Sequence, residues 1–240
     1  MSPESPFNPG PRVPPSRPFA ERNRVKRFIP GFLLAVILAV PGTALAGQGW
    51  SVLAADSVGA GRNVFTGQIG YPGLTLGLLH GGSDKVDVGG KFTFNWGREG
   101  LVDATDEGLK LQLWLRIMLA KTSNVSFALT FQPGPFVYFI DQGRFDDNTA
   151  FGMALPIGFV VGIPVGSALT LNAGIDIPFN VYFGEGIGPV IPILFGGGLE
   201  YFVTNQFNVN FNLRLGPSIF PRFDDSAFTM EALAGVAYRF

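Results

Sequence analysis

Leu109-Lys-Leu-Gln-Leu-Trp-Leu-Arg-Ile-Met-Leu119 is the stretch that decides the fold. Every odd position is Leu or Ile, and the even positions are Lys110, Gln112, Trp114, Arg116 and Met118. Successive side chains of a strand point to opposite faces, so this segment has one apolar face and one mostly polar face. The same period of two runs through Val125-Ser-Phe-Ala-Leu-Thr-Phe-Gln132 and Phe207-Asn-Val-Asn-Phe-Asn-Leu-Arg-Leu215, where Asn208, Asn210, Asn212 and Arg214 share one side. Val86 to Trp96 sets Val88, Phe92, Phe94 and Trp96 against Lys91, Thr93 and Asn95. No stretch after Gly47 carries a convincing helical period or the length of an apolar spanning helix.

Alternation alone also fits a half-buried sheet of a soluble protein. Three features choose the membrane. The strands run near ten residues or longer, against a mode of about five to six in soluble sheets. Their apolar faces are not broken by charge. Their connections alternate in length: Gly81 to Lys85, Lys121 to Asn124, Gly166 to Ala168 and Thr204 to Gln206 are tight, whereas Gly97 to Gly108, Asp141 to Thr149, Gly184 to Gly188 and Asp224 to Ser226 are longer and acidic. Short turns on one rim and longer loops on the other are the organisation of an outer-membrane barrel.

The predicted strands are Trp50–Asp56, Asn63–His80, Val86–Gly97, Leu109–Ala120, Val125–Ile140, Phe151–Val165, Leu169–Phe183, Pro189–Val203, Phe207–Phe220 and Ala227–Phe240. The expected fold is therefore all-β: a closed, antiparallel, up-and-down transmembrane barrel of about ten strands, with eight as the alternative if the first strand fails. Asn63–His80 reverses its apolar parity at Tyr71-Pro72-Gly73, which reads as a bulge within one strand. Pro156, Pro164, Pro178, Pro192 and Pro217 fall inside strands, where each removes a ladder hydrogen bond.

Ahead of the barrel, Arg22, Arg24, Lys26 and Arg27 precede an apolar run from Phe28 to Val40, then Ala44-Leu45-Ala46 and Gly47. A basic stretch, an apolar core and a small-x-small site make a secretory signal peptide. Residues 1–46 are thus predicted to be an N-terminal extension plus a cleavable signal, and 47–240 the barrel. Residues 1–46 hold six of the 17 basic and two of the 18 acidic residues, which leaves 11 against 16, a net −5. An acidic mature chain argues against a nucleic-acid partner. With no Cys there is no disulfide and no thiolate metal site.

The last strand carries a resemblance. Gly235-Val236-Ala-Tyr238-Arg-Phe240 resembles the C-terminal signal of bacterial outer-membrane β-barrel proteins, with a Gly, an apolar or aromatic residue three later and a terminal aromatic. The resemblance implies recognition by the barrel-assembly machinery, residence in the outer membrane and contact with its lipid. Phe94, Trp96, Tyr138, Phe139, Tyr182, Phe183 and Phe220 fall near the loop ends of strands, and Tyr201, Phe207, Tyr238 and Phe240 near the turn ends. Trp96, Tyr138, Tyr182, Tyr201 and Phe207 are expected in two aromatic belts at the membrane interfaces.

Strand parity puts Lys91, Lys110, Arg116, Asp176, Glu200, Arg214 and Glu231 on the inner face, among Asn172, Asn180, Asn208, Asn210 and Asn212. Charges confined to a narrow lumen need partners. A packed, plugging network is favoured over a wet passage tuned by mixed charge. Catalysis needs a nucleophile with a base, or a carboxylate and His activating water. His80 is the only His and lies beside a tight turn. No catalytic residue, metal site or cofactor is predicted, and the chain is expected not to be an enzyme. The favoured role is that of a monomeric barrel that is structural or binds through its external loops. A narrow channel for a small solute or apolar molecule is the alternative, and a lipid-modifying enzyme or protease is less favoured.

Overall fold

The computed structural model describes residues 49–97, 107–122, 124–141, 147–183 and 188–240. The predicted signal segment and extension, and the acidic residues Glu99, Asp103, Asp106, Asp146 and Glu185 of the longer loops, lie outside the described residues.

Twelve strand segments form one antiparallel sheet: β1 (Asn63–Tyr71), β2 (Gly73–Gly81), β3 (Val86–Asn95), β4 (Glu107–Lys121), β5 (Ser126–Phe131), β6 (Gly134–Asp141), β7 (Asp147–Val165), β8 (Leu169–Phe183), β9 (Pro189–Pro192), β10 (Leu194–Phe202), β11 (Phe207–Phe220) and β12 (Asp225–Arg239). β5 and β6 both lie between β4 and β7, and β9 and β10 both lie between β8 and β11. Each pair is one interrupted strand, so twelve segments make ten barrel strands. The sheet closes where β1 meets β12, from Val64↔Arg239 to Tyr71↔Ala232. Asn63 and Phe240 finish the seam by exchanging both backbone bonds at 2.9 Å. Closure leaves no open edge, which a spanning sheet requires because hydrocarbon offers no hydrogen-bond partner.

The predicted class and strand number hold, but two strands were placed wrongly and the errors cancel. Asn63–His80 is not one bulged strand. It is the hairpin β1–β2, with Asn63 opposite His80 and Ile69 opposite Leu74. The parity reversal at Tyr71-Pro72-Gly73 marks a turn, because each arm of a hairpin chooses its own apolar parity. Trp50–Asp56 is not a strand at all. It pairs with no neighbour in the sheet and lies inside the barrel.

Burial is inverted relative to a soluble domain. Leu111, Ile157, Phe195 and Phe228 are more than half exposed, while Thr66, Thr75, Asn208, Asn210 and Asn212 are buried. The outer surface is a continuous apolar band and the core is the lumen, as in outer-membrane-type barrels. The rim where residue 63 meets residue 240 also carries the four tight turns, and is named the terminal rim here. The opposite, loop rim carries the Tyr71–Gly73 turn and the longer connections.

Candidate functional site: the filled lumen

Residues 49–62 fold back from the terminal rim into the barrel, and from Trp50 to Val58 every side chain except the half-buried Leu53 is buried. The run Trp50-Ser-Val-Leu-Ala-Ala-Asp-Ser-Val58 has no alternation and mostly small side chains, so it suits a narrow interior better than a sheet. Trp50, Val52 and Val58 pack against Val64, Leu79, Trp114, Phe202 and Ala237 of the wall. Trp50 meets the Phe202 ring edge-on at 5.2 Å, and its Nε1 donates to Asn205 O at 3.0 Å. The guanidinium of Arg239 lies 5.1 Å from its ring centre, close enough for a cation–π contact. Gly162 makes room for this segment: a Cβ there would stand 3.0 Å from the Ala54 Cβ and 3.1 Å from the Ala55 nitrogen.

Charges of the wall hold the main chain of the segment. Arg116, 1% exposed, donates through Nε and Nη2 to Asp87 Oδ2 at 2.8 and 2.7 Å. Its Nη1 and Nη2 also donate to the carbonyls of Ala54 and Ser51, at 3.0 and 2.7 Å. Asp87 accepts from Ser57 Oγ at 2.7 Å and Val58 N at 3.1 Å. On the other side Glu200, fully buried, accepts from Val52 N at 2.9 Å, from Ala54 N, from Ser51 Oγ and from Asn208 Nδ2 at 3.1 Å. Buried charges persist only when paired and fully hydrogen-bonded. Here much of that satisfaction comes from residues 51–58, so segment and wall complete each other.

Above the segment is a polar chamber with a cavity of about 70 Å³, floored by Val52, Leu53 and Ala54. That is room for several waters at about 10–15 Å³ per probe-sized site. Lys91 Nζ donates to Gln132 Oε1 at 2.7 Å and sits 5.9 Å from the centre of the Trp114 ring. Arg214 forms an ion pair with Asp176 and stands opposite Glu231 in the ladder. Trp114 lies along the inner wall over β3 and reaches Gly77 of β2, where a Cβ would come within 2.8 Å of the indole.

The loop-rim end is filled by rings. Phe136 packs edge-on against Tyr138 at 5.6 Å and Tyr182 at 4.8 Å, with Ala150, Ala154 and Val190 around them. Lys110, 3% exposed, places its Nζ 5.8 Å from the Phe136 centroid. Asn95 Nδ2 donates to the Tyr138 hydroxyl at 2.8 Å.

All seven predicted lumen charges therefore face inward. Arg116 and Glu200 meet the segment at the terminal rim. Lys91, Asp176, Arg214 and Glu231 line the chamber, and Lys110 reaches the ring cluster. Tyr138 and Tyr182 correct the aromatic-belt expectation. At 2% and 7% exposed they sit inside the lumen, because each shares strand parity with its inward neighbours Phe136 and Asn180. Trp96 faces outward at the loop rim, and Tyr201 and Phe207 are half-buried near the terminal rim. Gly235, Val236 and Tyr238 lie on the closing strand β12 and Phe240 just beyond it, with the Tyr238 and Phe240 rings stacked at 6.2 Å. His80 is exposed at the terminal rim, its Nδ1 2.9 Å from Asn63 Oδ1.

Asp87 was missed. It shares parity with Lys91, and the ladder sets it directly opposite Arg116, so parity alone would have found it. The inward course of residues 50–58 left only a weaker signal, the absence of any period.

No protein-family model and no curated protein matches this chain. Among solved structures it is similar to the outer membrane protease OmpT from Escherichia coli, with 9% identity and a TM-score of 0.45, over 81% of this chain and 100% of that one. The expectation that the chain is not an enzyme is corrected here: the solved structure it is similar to is that of a protease.

Proposed function

We propose that this chain is an outer-membrane barrel stoppered from the periplasmic side by its own residues 50–58, and that it binds at its external face rather than conducting solutes. The terminal rim is the periplasmic one in this reading, because the start of β1 and the C-terminal assembly signal both lie there. The observation that carries it is the double clamp on the segment, Arg116 with Asp87 on one side and Glu200 on the other. Such a clamp satisfies wall charges that a water-filled pore would leave to solvent. The mature protein is taken to begin near Gly47, to be inserted by the barrel-assembly machinery and to work as a monomer in outer-membrane lipid.

The test is single-channel conductance of residues 47–240 refolded into a planar bilayer, with heat-modifiable gel mobility as the check on folding. A folded, electrically silent barrel is expected. Steady, ion-selective steps from the intact chain would overturn the proposal in favour of a narrow channel through the polar chamber.

A further inference from the structure

Five prolines that interrupt the ladder fall in one row across the register of neighbouring strands. Pro133 separates β5 from β6, Pro156 lies on β7, Pro178 on β8, Pro192 ends β9 and Pro217 lies on β11. Pro156 stands opposite Pro178, and Pro192 opposite Ser218. A proline has no N–H, so each can at best accept. Three of the breaks keep that one bond: Leu113 N donates to Pro133 O at 2.8 Å, Gln132 N to Pro156 O at 3.0 Å and Ile193 N to Pro217 O at 2.8 Å.

The fourth break keeps none. Asn180↔Val190 on one side and Asp176↔Leu194 on the other fix a register that brings Pro178 opposite Pro192. Ile193 turns its N–H towards β11, so its neighbour Pro192 turns its polar groups towards β8. Two prolines facing each other exchange no hydrogen bond. The pairing of β8 with this strand accordingly lapses across Ile177–Phe179 and resumes beyond it.

The surroundings of that gap are apolar outside and mostly apolar inside, where the buried polar residues Asn180 and Ser218 stand beside it. Outside it Ile177 is 36% exposed within the lipid-facing band. Inside it Pro178, Pro192, Leu194 and Val190 are buried, and Val190 belongs to the ring cluster of Phe136 and Tyr182. Asp176, two residues towards the terminal rim, turns inward to Arg214. Along the chamber the wall separates an apolar exterior from a polar interior. Here it separates the lipid-facing band from a mostly apolar part of the lumen, and it does so where the facing prolines exchange no backbone hydrogen bond.

We propose that the gap between β8 and the β9/β10 strand is a lateral port, through which an acyl chain of a lipid in the loop-rim leaflet reaches the ring cluster inside the barrel. The inference rests on the reading of a membrane-spanning barrel closed at its terminal rim, and it names the partner bound at the other end. The guest follows from continuity: the outer frame of the port belongs to the band that lipid chains already cover, and the inner frame offers them apolar rings. Passage requires the Tyr182 ring to swing off Phe136, a side-chain rotation that leaves the ladder on either side intact.

The test places the photoreactive residue p-benzoylphenylalanine at Tyr182, inside, and separately at Phe183, outside, in the mature chain folded into phosphatidylcholine vesicles. Irradiation followed by mass spectrometry counts lipid adducts. Adducts are expected at both positions, and the Tyr182 adduct should fall about fivefold or more when Pro178→Val and Pro192→Val together return the two missing N–H groups to the ladder. Heat-modifiable mobility confirms that the double variant folds; if it does not, Pro192→Val alone serves, with a fall in the same direction. No adduct at Tyr182 alongside a strong one at Phe183 would overturn the port. So would an adduct at Tyr182 that the proline substitutions leave unchanged, since lipid would then arrive over the rim. Absence of the Phe183 adduct from a folded barrel would instead sink the membrane-spanning reading, and the port with it.

Discussion

At the terminal rim the lumen is filled by main chain held on charges, whereas at the loop rim it is filled by rings held on one another. The first filling is specific. Arg116, Asp87 and Glu200 meet particular amides, carbonyls and hydroxyls of residues 51–58, and removal of one partner strands another in a dry interior. The second filling is largely non-directional, although Asn95 donates to the Tyr138 hydroxyl. Phe136, Tyr138 and Tyr182 make ring contacts that can be remade in several ways. A barrel built this way should be hard to open from one end and easy to repack at the other.

That contrast gives an order of expected effects. Arg116→Ala should do most harm, because it leaves Asp87 buried without its cation and frees two segment carbonyls. About 3–5 kcal/mol of barrel stability should be lost, read from urea unfolding in detergent or vesicles. Glu200→Gln keeps the shape but not the charge that gathers Val52 N, Ala54 N and Ser51 Oγ, and about 1–3 kcal/mol is expected on the same assay. Tyr182→Phe tests the other end. It keeps the ring that packs on Phe136, so about 1 kcal/mol or less should be lost, and a larger loss would show that the loop-rim cluster is polar and specific after all. His80→Ala lies at the exposed rim and should change stability by no more than about 0.5 kcal/mol.

Most of the wall was legible in the sequence, and the reason is physical. A strand's period of two is a local property, so Leu109–Leu119 declares its two faces without reference to any neighbour. Inward charges such as Lys91, Arg116 and Arg214 follow from the same parity. What belongs to the interior was harder to read. Residues 50–58 take their course against Arg116, Asp87 and Glu200 and the apolar wall around Phe202, and those partners lie on β4, β3 and β10, far away in the chain. Tyr138 and Tyr182 were misread because nearness to a strand end was given more weight than parity. Tyr71-Pro72-Gly73 was misread because a hairpin tip and a bulge both reverse the apolar parity, and only the pairing of Ile69 with Leu74 tells them apart. The prolines looked like isolated faults in single strands. Their alignment in one row is a matter of register across strands, which one-dimensional reading does not provide.

The central claim, that residues 50–58 stopper the lumen, is open to a direct chemical measurement because the chain has no native cysteine. Ala54→Cys places a thiol at a site that is 0% exposed beneath the chamber, and Ala60→Cys places one on the exposed part of the same segment. Both are treated with a water-soluble maleimide in the folded, membrane-inserted barrel and again after unfolding. The account predicts that Cys at position 60 reacts at once in the folded protein, while Cys at position 54 reacts only after unfolding. Equal and rapid labelling of both in the folded barrel would mean that the segment lies outside the lumen, and would contradict it.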